Sequence, residues 1–64
     1  MNWKNARKDQ LPKDHDQVLI SVNGIYYLST YYMGLKTFRV FSETGDILFP
    51  IDEHLIYWTP FVEE

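Results

Sequence analysis

Cysteine is absent from this chain of 64 residues, which excludes disulfide staples and thiolate zinc sites. Glycine and proline are scarce, three of each. Gly24, Gly34 and Gly45 all read as turn residues, and neither a phosphate-cradling glycine loop nor a nucleophile elbow is present. No apolar run approaches the roughly 18 residues that span a bilayer. Charged and polar residues fill the N-terminal stretch, which leaves no signal peptide, so the cytoplasm is the expected address. Basic charge is also short. Six Lys and Arg stand against nine Asp and Glu, for a net charge of −3. That argues against nucleic acid as a partner, because phosphate backbones call for a basic face. The cations are scattered as well, with Lys4, Arg7, Lys8 and Lys13 early and Lys36 and Arg39 later. Finally, the 3.6-residue apolar period of a long helix is missing.

What the chain does have is aromatic side chains: two Trp, five Tyr and four Phe. A domain this small buries only about 60% of the surface its unfolded chain exposes and usually needs a staple. Aromatic packing, helped by self-association, is the expected substitute. One domain is expected over 1–64, with a polar arm at 1–16, a sheet at 17–60 and a solvated tail at 61–64. The arm reads as extended or as a short helix that ends before Leu11-Pro12, anchored by Trp3 and Leu11.

The strongest local signal lies at Gln17–Val22 and Ile25–Tyr32, two β-rich runs separated by Asn23-Gly24. Asn-Gly between such runs predicts a two-residue type I′ hairpin, because both turn positions need φ > 0. That turn sets Val22 opposite Ile25, Ile20 opposite Tyr27 and Val18 opposite Ser29. These residues and Tyr31 form the expected core face, and Leu19, Ser21, Tyr26, Leu28, Thr30 and Tyr32 form the other. Further strands are predicted at 37–42, 47–49 and 55–59. The expectation is a mainly β domain of four to five short antiparallel strands, in a meander sheet or small barrel. Its expected core is Trp3, Leu11, Val18, Ile20, Val22, Ile25, Tyr27, Phe38, Val40, Ile47, Leu55 and Trp58.

Two acidic-histidine clusters invite a catalytic or metal reading: Asp14-His15-Asp16 and Asp52-Glu53-His54. Adjacent residues of an extended chain point opposite ways, so neither cluster converges by itself. Both read as solvated loops, and whether His15 and His54 approach each other is left to the fold. No catalytic residue, metal ligand or cofactor site is assigned. The tyrosine pairs are more informative. One tyrosine of each must face outward, and the register selects Tyr26 and Tyr32. Together with Arg39 and Phe41 on the third strand they make an aromatic patch of the composition found at interface hot spots. Asp14, Asp16, Asp52 and Glu53 are candidates for an acidic interaction surface.

Trp3-Lys4-Asn5-Ala6, Leu11-Pro12, Val18-Leu19-Ile20, Tyr31-Tyr32, Phe38 and Tyr57-Trp58-Thr59-Pro60-Phe61 occur in an order and spacing that spans nearly the whole chain. This frame resembles the small "domain of unknown function 551" family. The chain departs from it in a Trp3-to-Leu11 gap that is one residue too long, and in Tyr57 and Thr59 where His and Met are usual. The resemblance implies a small β-rich protein frequent in phages and prophages, and it implies no activity. The expected function is therefore a non-enzymatic protein-binding accessory module that occupies a surface of a host or phage protein. A self-assembling, virion-associated protein is the alternative. Binding of single strands, whose bases stack on aromatic platforms, is the weaker alternative because of the acidic balance.

Overall fold

The computed structural model describes residues 2–61. The described chain forms a single open antiparallel sheet of six strands, with no helix among the described residues. The strands are β1 (Lys4–Asn5), β2 (Gln17–Val22), β3 (Ile25–Tyr32), β4 (Thr37–Val40), β5 (Ile47–Pro50) and β6 (Ile56–Pro60). Their spatial order is β1-β6-β2-β3-β4-β5. The middle is a meander. After β5 the chain crosses back to lay β6 along the far side of β2, and β1 pairs beyond it. This corrects three expectations. There are six strands rather than four or five, because Lys4–Asn5 pairs with Trp58 and Tyr57. The sheet is not closed into a barrel, since β1 and β5 remain its two edges. The arm forms no helix. It makes one turn after β1, in which the Asn5 side chain accepts from the Arg7 N–H at 2.8 Å and Asp9 accepts from the Asn5 N–H at 2.8 Å.

The hairpin adopts the expected register: Val22 pairs with Ile25, Ile20 with Tyr27 and Val18 with Ser29. Asn23 and Gly24 have φ of 54° and 80°, the pair of left-handed values a type I′ turn requires. At the other end of the hairpin the ladder continues through a bulge. His15 donates its N–H to the Tyr31 carbonyl at 2.7 Å, and Tyr31 donates back to the Asp16 carbonyl at 3.0 Å. Two residues thus oppose one. The first of them, His15, has φ of 68°, where such bulges normally place glycine.

One face of the sheet is the core. Val18, Ile20 and Val22 of β2, Tyr31 of β3, Phe38 and Val40 of β4, Phe49 of β5, and Ile56 and Trp58 of β6 are buried there. A single sheet has no second layer, so loops cover this face. Ala6 and Leu11 of the arm pack on it, and the Trp58 indole N–H donates to the Gln10 carbonyl at 3.0 Å. Ile51, in the β5–β6 crossing, is buried as well. Its N–H donates to the Lys36 carbonyl at 3.0 Å, and its carbonyl accepts from Arg7 Nε at 2.8 Å.

Four core expectations fail for local reasons. Ile25 has the right parity but is 55% exposed, because β4 pairs with β3 only from Thr30 onward and no strand flanks β3 at the hairpin tip. Ile47 is exposed at the free end of the edge strand β5. Leu55 precedes β6 and is exposed, and the buried parity of that strand belongs to Ile56 and Trp58. Trp3 is half-buried and stacks on Tyr26 outside the core, with ring centroids 5.7 Å apart.

Two predictions follow from this packing. Gly24→Ala forces a Cβ into a left-handed residue whose surroundings are open. The cost is conformational, about 1–2 kcal/mol, and is read as a lower urea midpoint at unchanged slope. Tyr31 presents the opposite case. It is fully buried, and its hydroxyl finds no hydrogen-bond partner among the described residues. An unpaired buried hydroxyl costs about 1–3 kcal/mol, so Tyr31→Phe should raise the urea midpoint. Burial, and secondarily the Asp14 carboxylate, push the Tyr31 phenol above the ordinary value of 10.0. The folded state therefore holds that proton more tightly than the unfolded chain. The stability this contributes is complete below about pH 10 and is lost as pH rises through that value towards the raised one. Urea melts of the two proteins between pH 8 and pH 11 should show a shallower alkaline decline for Tyr31→Phe.

Candidate interaction surface

Among the described residues no second layer lies over the outer face, though Thr37 and Thr59 are buried on it, and its residues follow from strand parity. Register places Tyr57 opposite Ser21 and Ser21 opposite Tyr26, Leu19 opposite Leu28, and Thr30 opposite Arg39, which in turn lies opposite Leu48. Phe41 follows two residues after Arg39 on the same side. An aromatic and apolar band therefore crosses this face. Tyr26 is 67% exposed, Phe41 69%, Leu48 54% and Leu28 47%. Isolated exposed apolar residues are ordinary, but a contiguous band is not.

Arg39 organises one end of the band. Its Nε donates to Asp46 Oδ2 at 2.8 Å, Nη2 lies 2.7 Å from the same oxygen, and Nη1 donates to the Tyr32 hydroxyl at 3.0 Å. The guanidinium also sits over the Phe41 ring, 4.4 Å from its centroid. The Tyr32 hydrogen bond, together with the Asp46 carboxylate, holds the guanidinium above its ordinary pKa. Tyr32 in turn receives the His15 ring edge-on, with centroids 5.0 Å apart. His15 Nδ1 lies 3.2 Å from Asp14, whose other oxygen accepts the Met33 N–H at 2.9 Å. The left-handed bulge residue is thus the device that turns this imidazole onto Tyr32. Left-handed backbone costs about 1–2 kcal/mol, and the histidine type tolerates it better than most.

The structure brings Tyr32, Arg39, Phe41 and Asp14 into one network with His15 and Asp46. It puts Tyr26 elsewhere on the same face, against Trp3. Asp16 is exposed beside the bulge, and Asp52 and Glu53 are exposed in the β5–β6 crossing, where Glu53 donates its N–H to the Pro50 carbonyl at 3.1 Å. The two histidines serve different clusters, since His54 packs edge-on against Phe49 at 5.2 Å. Among the described residues no three His, Asp or Glu side chains lie together in a way that could hold a metal ion. No helix there is long and apolar enough to cross a membrane.

Asp46, His15, Leu28 and Leu48 belong to this surface and escape a reading by residue type. Leu28 and Leu48 look like ordinary strand apolar residues. Only the absence of a covering layer exposes them. The signal for Asp46 is positional, as it lies across a tight turn from Arg39. Comparison with protein-family models, with curated proteins and with solved structures finds no match to this chain.

Proposed function

We propose that this chain is a non-enzymatic protein-binding module that docks a partner protein on the outer face of its sheet. The observation that supports this reading is the uncovered band from Tyr57 and Tyr26 through Leu28 to Leu48 and Phe41, with Arg39 held in place by Asp46 and Tyr32. Aromatic residues and arginine are the types that dominate interface energetics. A prefixed guanidinium also loses little freedom when a partner binds. The exposed acids Asp14, Asp16, Asp52 and Glu53 also suit a basic partner surface, with Asp14 in the outer-face network and Asp52 and Glu53 on the crossing over the other face. The sequence frame described above adds the biological setting, an accessory protein of phage or prophage type acting on a host or phage protein in the bacterial cytoplasm.

A second reading, self-assembly, draws on the open edge at β5. Ile47 and Leu48 are exposed there, and no strand pairs with that side. Unprotected apolar edges recruit further strands. Pro50 and the strand's shortness limit such pairing, which is why the outer face is preferred.

A pull-down from bacterial lysate with nuclease present tests the proposal. The expected result is one near-stoichiometric protein partner, whose affinity falls about 30-fold or more for Tyr26→Ala or Phe41→Ala, the loss typical of hot-spot truncation. Capture that is indifferent to both variants rejects the outer face. Recovery of the chain alone, with a sedimentation coefficient that rises with concentration and is reset by Leu48→Lys, transfers the surface to self-assembly.

A further inference from the structure

A groove of about 630 Å³ lies where the arm crosses the ends of β2 and β6, sharing His15 with the outer-face network. That volume falls within the range of roughly 300–1,000 Å³ typical of ligand sites. Its apolar walls include Leu11, Pro12, Pro60 and Phe61. Phe61 is 49% exposed, and the prolines make the walls rigid. The groove begins where β1 stops, because β1 covers β6 only at Tyr57 and Trp58. Among the described residues its lining is opposite in charge to the chain: Lys4 and Lys13 line it against one acid, Asp16, with His15 at the same rim, whereas acids outnumber bases nine to six overall. The Lys4 ammonium sits over the Trp58 ring, 4.8 Å from its centroid, so one cation is held against the groove's apolar side. Gln10 and Gln17 also line it, and an amide side chain can pair with the backbone of an extended chain.

We infer that this groove is a binding site for an extended peptide segment of a partner that alternates carboxylate and apolar side chains. The apolar side chains pack on Phe61 and the prolines, and the carboxylates reach Lys4 and Lys13. A single-stranded nucleic acid fits less well. It would present a phosphate at every nucleotide to only two lysines, beside Asp16 and on an acidic body. The inference rests on the groove alone and stands whatever docks on the outer face.

The test is an NMR titration of the full chain with an end-blocked hexapeptide alternating glutamate and leucine. The control is the same peptide with glutamine in place of glutamate. The Trp58 indole N–H and the amides of Lys4, Lys13 and Phe61 should shift saturably. The glutamine peptide should bind at least about 5-fold more weakly, consistent with loss of paired surface charges. Lys13→Gln, a substitution at an exposed position that leaves the fold alone, should weaken the glutamate peptide about 3- to 5-fold, and Phe41→Ala should leave it unchanged. The inference is overturned by the absence of saturable shifts at millimolar peptide, by equal binding of the glutamine peptide, by shifts confined to the outer face, or by tighter binding of an oligothymidylate than of the peptide.

Discussion

Everything in this sheet depends on the two left-handed residues at Asn23-Gly24. β2 is the central strand, paired with β3 on one side and β6 on the other. Side chains alternate with a period of two, so a slip of one residue at the turn would carry Val18, Ile20 and Val22 from the core face to solvent. Their partners across β6, Trp58 and Ile56, would then face the wrong side as well. A type I′ turn admits one register, and it does so locally, before any long-range contact forms. The β6 pairing closes a much longer loop and is entropically costlier. It can only be specific because β2 already presents a defined face.

A one-layer sheet in a chain of this length faces a covering problem. The solution is asymmetric. On one side the sheet draws the arm and the β5–β6 crossing over itself, and these irregular segments meet their backbone needs through long-range bonds: Trp58 to Gln10, Arg7 to Ile51, and Ile51 to Lys36. On the other side, among the described residues, single side chains such as Trp3, His15 and Asp46 reach over the sheet. The aromatic band there stays largely exposed because the longer segments lie over the first face. The outer surface is therefore a property of the topology as much as of the residues on it.

The hairpin was legible because Asn-Gly carries a backbone requirement that few other dipeptides meet, and parity then ordered Val18, Ile20, Val22 and Tyr31 onto the buried side. Phe38, Val40 and Trp58 followed from strand composition in the same way. What parity cannot supply is the extent of a neighbour. Ile25 has a core parity and no strand on its β4 side, and Ile47 has an edge on one side. Ile51 shows the reverse: it sits in a loop by composition and is buried because the crossing returns over the core. Of the interaction surface, Tyr26, Tyr32, Arg39 and Phe41 were readable from alternation. Their grouping was not, since it rests on Asp46 reaching back across a turn and on His15 occupying a glycine-like bulge position.

That bulge bears on how the outer face is built. A glycine at position 15 would relieve the left-handed strain but would leave Tyr32 without its edge-on neighbour. Aromatic contacts of this kind contribute about 0.5–1.5 kcal/mol, comparable to the strain they offset. Stability alone thus has little preference between the two residues. The difference between them lies in rigidity. With the imidazole in place, Tyr32 is fixed from one side by His15 and from the other by Arg39, which is itself fixed by Asp46 and Phe41. A surface whose polar and aromatic groups are already immobilised gives up less entropy when it meets another surface. A residue that gains little in stability yet locks a half-buried tyrosine at the surface is better explained by binding than by folding, and this gives the outer-face reading support that composition alone does not.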